Sequence, residues 1–146
     1  MRLEEPKAPF VLIAEDNADD RLLLNYAFRS ARLPNPYLIV NDGAEAIDWM
    51  QKRLNERLAE AHPLDLLIVD IQMPNKTGVE VLEWVRSQPI YRELPVVVMS
   101  GLRSPAMIDR VMTLGAHSYL FKPGDYGELT NFIAEFNALR SLNVSL

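Results

Sequence analysis

The chain has 146 residues, ten prolines, six glycines, no cysteine and a formal net charge of −5. That length makes one domain, able to bury roughly 68–70% of its unfolded surface. The missing cysteine excludes disulfides, a thiol nucleophile and Cys-ligated zinc or iron–sulfur sites.

An acidic balance argues against non-specific nucleic-acid binding, which needs a basic surface to release counterions. The amino-terminal MRLEEPKAP has no apolar stretch, so it does not read as a secretory signal. The longest unbroken apolar run, Phe10 to Ala14, is far too short to cross a bilayer. A single cytoplasmic domain spanning residues 1–146 is expected. Its core should cover about 8–140, with a loose amino terminus and a short carboxyl-terminal tail.

Apolar runs alternate with helical patterns along the chain. Phe10 to Ala14 reads as a buried strand. Ala18 to Ala31 reads as a helix with Leu23, Leu24, Ala27, Phe28 and Ala31 on one stripe. Pro34 and Pro36 then break the chain before a second strand, Tyr37 to Val40. Asn41-Asp42-Gly43 opens a long helix carrying Ile47, Met50, Leu54 and Leu58, predicted to end near His62-Pro63. Leu66 to Val69 is the third strand and Gly78 to Ser87 the third helix. Pro95 to Met99, Ser104 to Leu114, Ser118 to Phe121 and Asp125 to about Arg140 complete the alternation. Five strands alternating with five helices imply parallel βαβ units with helices on both faces of the sheet.

Ligands of such open sheets bind outside the carboxyl ends of the strands. Strand one ends in Glu15-Asp16, strand three in Asp70, strand four in Ser100-Gly101, and strand five in Lys122-Pro123. Three carboxylates, a hydroxyl and an ammonium are thus predicted at one edge. Crowded carboxylates repel, and a hard divalent cation relieves that conflict. An all-oxygen set favours magnesium or manganese over zinc. Asp70 can serve as a nucleophile towards phosphorus. Lys122 and Ser100 can bind phosphoryl oxygens, and Gly101 leaves room for such a group.

These pieces, in this order, resemble the receiver domains of two-component response regulators. The resemblance rests on Glu15-Asp16, the run Asp70-Ile71-Gln72-Met73-Pro74-Asn75-Lys76-Thr77-Gly78, Ser100-Gly101, Gly115-Ala116, Tyr119 and Lys122-Pro123, and covers about Ala8 to Leu139. It implies a flavodoxin-like (β/α)5 fold, a doubly wound sheet of strand order 2-1-3-4-5. Asp70 would be the phosphoacceptor. Glu15, Asp16, Asp70 and the Gln72 carbonyl would hold magnesium or manganese. Ser100 and Lys122 would bind the phosphoryl group, and Tyr119 would switch with Ser100. In this family the Lys122-Pro123 bond is often cis.

The long second helix, Asn41-Asp42-Gly43 and Glu15-Asp16-Asn17 look most like small stand-alone regulators paired with bacterial phytochrome kinases. The resemblance therefore implies a sensor histidine kinase, such as a bacteriophytochrome, as partner, and no fused output domain. A homodimer through the helix 4–strand 5–helix 5 face or the tail is a further expectation.

Blander readings compete at single positions. Asp16 or Asn17 could simply cap a helix, with Asp19 and Asp20 favouring its dipole. Asp70 could start a turn, and Lys122 could be an ordinary surface lysine. His62 and His117 read as unrelated surface or loop residues. Two other function classes compete for the whole pattern. An aspartyl-phosphate phosphohydrolase would want an acid two residues after its nucleophile, where this chain has Gln72. A phosphorylation-independent interaction module would be signalled by a lost acceptor or lysine, and neither is lost.

Overall fold

The computed structural model describes residues 8–58, 63–122 and 124–142. Five strands, β1 (Val11–Ala14), β2 (Tyr37–Val40), β3 (Leu66–Val69), β4 (Val96–Ser100) and β5 (Ser118–Phe121), form one parallel sheet in the order β2-β1-β3-β4-β5. The helices whose bounds lie within the described residues are α1 (Ala18–Ser30), α2 (Gly43–Asn55), α3 (Gly78–Ser87), α4 (Pro105–Thr113) and α5 (Tyr126–Ser141). This is the doubly wound (β/α)5 architecture expected from the sequence. No helix among the described residues is long and apolar enough to cross a membrane.

The three central strands are apolar almost throughout because both of their faces are buried. Alternate side chains point to opposite faces. Leu12, Leu67, Val69 and Val98 pack with Met50, Leu82 and Val111 from α2, α3 and α4. Val11, Ile13, Leu66, Ile68 and Val97 pack with Leu24, Phe28, Leu129, Ile133 and Phe136 from α1 and α5. Each fully buried Leu, Ile or Phe contributes about 1.5–3 kcal/mol of burial. The edge strands β2 and β5 are only partly buried.

Local sequence sets the helix starts. Asn17 caps α1 by accepting from the Asp20 amide, Asp42 caps α2 through the Glu45 amide, and Ser104 caps α4 ahead of Pro105. Thr77 and Glu80 form a reciprocal capping box at α3.

Apart from one-residue shifts at element ends, the structure departs from the sequence expectations in four places. The second helix stops at Asn55, not near His62: Glu56 caps it and Arg57 turns into the left-handed region at φ 55°. The break falls at Glu56 and Arg57, ahead of Leu58, and His62 lies outside the described residues. On α1, Leu23 and Ala31 are exposed, so the buried stripe is the narrower Leu24, Ala27 and Phe28. Phe10 precedes β1 rather than belonging to it. A short 3-10 turn at Pro89–Tyr91, unforeseen from periodicity, follows α3.

Candidate functional site

The strand register assembles the site. Ala14 pairs with Val69, so Glu15 and Asp70 leave adjacent strands side by side. Their backbones continue the ladder: the Glu15 amide donates to the Val40 carbonyl (3.1 Å) and the Asp70 amide to the Ala14 carbonyl (3.2 Å). Ser100 pairs with Phe121, and the Lys122 amide donates to the Ser100 carbonyl at 3.0 Å. Strand ends distant in sequence thus meet at one edge.

Gly78 has a steric duty here. A Cβ at that position would stand 2.2 Å from the Asp70 carbonyl oxygen, so only glycine lets α3 begin against the end of β3. Gly101, by contrast, borders open space: a Cβ added there would meet no heavy atom within 4 Å.

Glu15, Asp70 and Ser100 are buried, whereas Asp16 is exposed. Carboxylate oxygens of Glu15, Asp16 and Asp70 lie within 4.8 Å of one another. The donor set is hard oxygen throughout, the kind that magnesium or manganese takes. Arg21 steadies the segment, its Nη1 donating to the carbonyls of Glu15 (3.1 Å) and Asp16 (2.8 Å). The Gln72 amide donates to Asp70 Oδ1 at 3.2 Å, holding that carboxylate towards the loop.

Lys122 Nζ donates to Glu15 Oε1, Asp20 Oδ2 and Asp70 Oδ2, each at 2.7 Å. Burial alone would push the ammonium's pKa down, but the bonds to Asp20, Asp70 and Glu15 outweigh it and raise it. The Glu15 carboxyl is pushed up to about 7, chiefly by burial and further by Asp70, against the bonds from Lys122 and the Asn17 amide. The two directions agree physically. One lysine cannot offset three carboxylates, and Glu15, the most buried of them, is the one whose charge is hardest to keep.

Ser100 Oγ accepts from the Leu102 amide at 3.2 Å, and the Tyr119 hydroxyl donates to the Leu102 carbonyl. Burial raises the Tyr119 phenol's pKa. Ser100 and Tyr119 are therefore joined through one residue of the loop after β4. The half-buried Tyr119 ring packs on Phe121 with centroids 5.3 Å apart.

All the expected side chains lie at or beside this edge. His117 does not: it precedes the amino end of β5, and its amide bonds the Val96 carbonyl. Pro123 lies outside the described residues, as do Val144 and Leu146 of the tail. Sequence reading missed two contributors. Asp20, read only as a dipole partner, is bonded to Lys122, and the Tyr126 hydroxyl donates to Asp20 Oδ1 at 3.2 Å. The available signal was position: Asp20 stands in the first turn of the helix that directly follows Glu15-Asp16.

Residues 11–134 match the family model described as the response regulator receiver domain. The chain is 31% identical over 121 residues to the two-component response regulator ORR5 of Oryza sativa subsp. japonica, covering 83% of each chain. It resembles the phosphorylated cyanobacterial phytochrome response regulator RcpA, with a TM-score of 0.75 and 26% identity over 95% of this chain and 98% of that one. It also resembles the response regulator RPA3017 of red light signalling in R. palustris, with a TM-score of 0.71 and 26% identity over 90% of this chain and 92% of that one. The chain belongs to the response regulator receiver domain family.

Proposed function

We propose that this chain is a phosphorylation-controlled signalling switch whose acceptor is Asp70. The observation that carries the proposal is the Lys122 ammonium, 2.7 Å from Asp70 Oδ2 at an edge where Glu15 and Asp16 add an oxygen set. In the reaction, an Asp70 carboxylate oxygen attacks the phosphorus of a phosphohistidine on a sensor histidine kinase. A P–O bond forms as the P–N bond breaks, and the electron pair returns to the imidazole nitrogen. Hydrolysis of the acyl phosphate later restores the carboxylate.

Glu15, Asp16, Asp70 and the Gln72 carbonyl would hold magnesium or manganese. When bound, that cation offsets charge on the phosphoryl oxygens. Lys122 offsets more of it as a point charge, and the Ser100 hydroxyl donates to a phosphoryl oxygen. The new group carries about −1.5 to −2 charge. Drawing Ser100 towards it frees the Leu102 amide, and Tyr119 follows through the Leu102 carbonyl. The face made by α4, β5 and α5 then shifts its partner preference as a two-state population.

The likeness to RcpA and RPA3017 supports a phytochrome kinase as the donor. Gln72, without an ionisable proton, supports a phosphoacceptor over a turnover phosphohydrolase. A homodimer through the α4–β5–α5 face completes the proposal, and size-exclusion elution before and after phosphorylation tests it.

The test of the acceptor is intact mass after acetyl phosphate, with and without magnesium, beside Asp70→Asn. A magnesium-dependent gain of one phosphoryl group, absent in the variant, is expected. No gain in the wild type, where a control receiver is labelled, would overturn the reading in favour of a phosphorylation-independent binding module.

A further inference from the structure

Lys122 has three N–H donors, and all three are taken by carboxylates. Two of those carboxylates have other work if the proposed function holds, on which this inference rests. Glu15 and Asp70 belong to the oxygen cluster suited to a cation, and Asp70 becomes an acyl phosphate. Asp20 is outside that cluster.

The third partner is also held by bonds of its own. Asp20 stands in the first turn of α1, where its amide donates to the capping Asn17 side chain at 3.0 Å. Its second carboxylate oxygen accepts from the Tyr126 hydroxyl on the first turn of α5. One oxygen is thereby committed to α5, and the other is left aimed at Lys122. The Lys122 and Asp20 side chains are largely buried, 11% and 21% exposed, so water competes weakly for this bond.

We infer that Asp20, oriented by Tyr126, is a positioning residue that holds the Lys122 ammonium in the site while Glu15 and Asp70 turn to the cation and the phosphoryl group. Without it, a four-carbon side chain that has lost two partners is free to leave for solvent. Lys122 would then stabilise charge on the transferring group less well, without any loss of substrate access.

The experiment uses the full chain at saturating magnesium and follows the phosphorylated mass over time at several acetyl phosphate concentrations. Asp20→Asn should lower the maximal rate about ten-fold, with the half-saturating concentration changed much less. Tyr126→Phe should act in the same direction by about three-fold, through the loss of one orienting bond. Asp20→Asn placed on Lys122→Ala should cost nothing further, since it acts through the lysine. A merely structural role would add to the loss in that double variant. Binding of beryllofluoride, a non-reacting phosphoryl mimic, read by fluorine NMR, should weaken in Asp20→Asn as well.

Additive losses, or wild-type rates in both Asp20→Asn and Tyr126→Phe, would overturn the inference while leaving the acceptor role standing. A wild-type protein that takes no phosphoryl group would sink both. If Asp20→Asn does not fold by circular dichroism, Tyr126→Phe decides, with wild-type rates in it counting against the inference.

Discussion

Among the described residues, Lys122 is the one cation hydrogen-bonded to Glu15, Asp20 and Asp70 through its side chain, and its removal has a definite energetic sign. Truncating the cationic partner of a buried ion-pair cluster costs about 3–5 kcal/mol, because the remaining charges are left uncompensated. Lys122→Met should therefore lower metal-free stability by about that much in a urea titration. The emptied site also gains net negative charge, so magnesium should bind the variant more tightly. At a hundred times its dissociation constant it should restore about 2.7 kcal/mol. A variant as stable as wild type without metal would contradict this account of the site's electrostatics.

His117 gives a second test at the same scale. Its Nδ1 accepts from the Val96 amide at 3.4 Å, which requires the neutral ring. Although His117 is exposed, partial desolvation of its ring first, and then the neighbouring Arg86 guanidinium, hold its pKa below the ordinary 6.5. The native state therefore binds fewer protons than the unfolded chain. The stability this contributes is present above about pH 6.5 and is lost as pH falls through the lower native value. Compared with His117→Gln, the wild type should lose relative stability as pH falls below about 6.5. A stability difference that does not vary with pH would refute the assignment.

At the scale of elements, Arg86 ties together parts that the sheet alone does not hold. From α3 it donates to the carbonyls of Leu114 (2.8 Å) and Gly115 (2.9 Å) beyond α4, and to those of Tyr91, Arg92 and Leu94 before β4. Gly115 sits at φ 89°, and a Cβ there would stand 3.0 Å from Arg86 Nε. The glycine thus serves both the left-handed turn and the close approach of the guanidinium. Arg86→Met keeps most of the aliphatic stem and strands these carbonyls. It should cost about 3 kcal/mol or more by denaturant unfolding. A cost under about 0.5 kcal/mol, the range of an ordinary surface substitution, would refute the bracing role.

Periodicity found α1, α3, α4 and α5 because their apolar stripes and turn signals agree. It overran α2 because the residues ending that helix, Glu56 and Arg57, carry no glycine or proline signal. Arg86 escaped notice for a different reason. An arginine in the last turn of a helix reads as a dipole partner, and nothing local shows carbonyls arriving from 28 residues away.

Across the whole molecule, the fold was legible because three apolar strands flanked by amphipathic helices admit few topologies. The candidate site was legible at Glu15, Asp16, Asp70, Ser100 and Lys122, each at the end of a strand or within two residues beyond it. Asp20 and Tyr126 were not, since their bonds close over 102 and 106 residues. The same holds for the reciprocal amide pair of Asn35 and Asn137, at 2.8 and 2.7 Å, which ties α5 to the segment before β2. Such contacts depend on how α1 and α5 settle on one face of the sheet, which local pattern does not encode.

The central claim is that one carboxylate, Asp70, takes the phosphoryl group. Its most direct test is to phosphorylate the chain with acetyl phosphate and magnesium, reduce the acyl phosphate with borohydride, and locate the reduced residue by peptide mass spectrometry. The account predicts reduction at Asp70 alone, dependent on magnesium and absent when phosphorylation is omitted. Reduction at Glu15, Asp16 or Asp20 instead, or a phosphoryl gain that survives in Asp70→Asn, would contradict it.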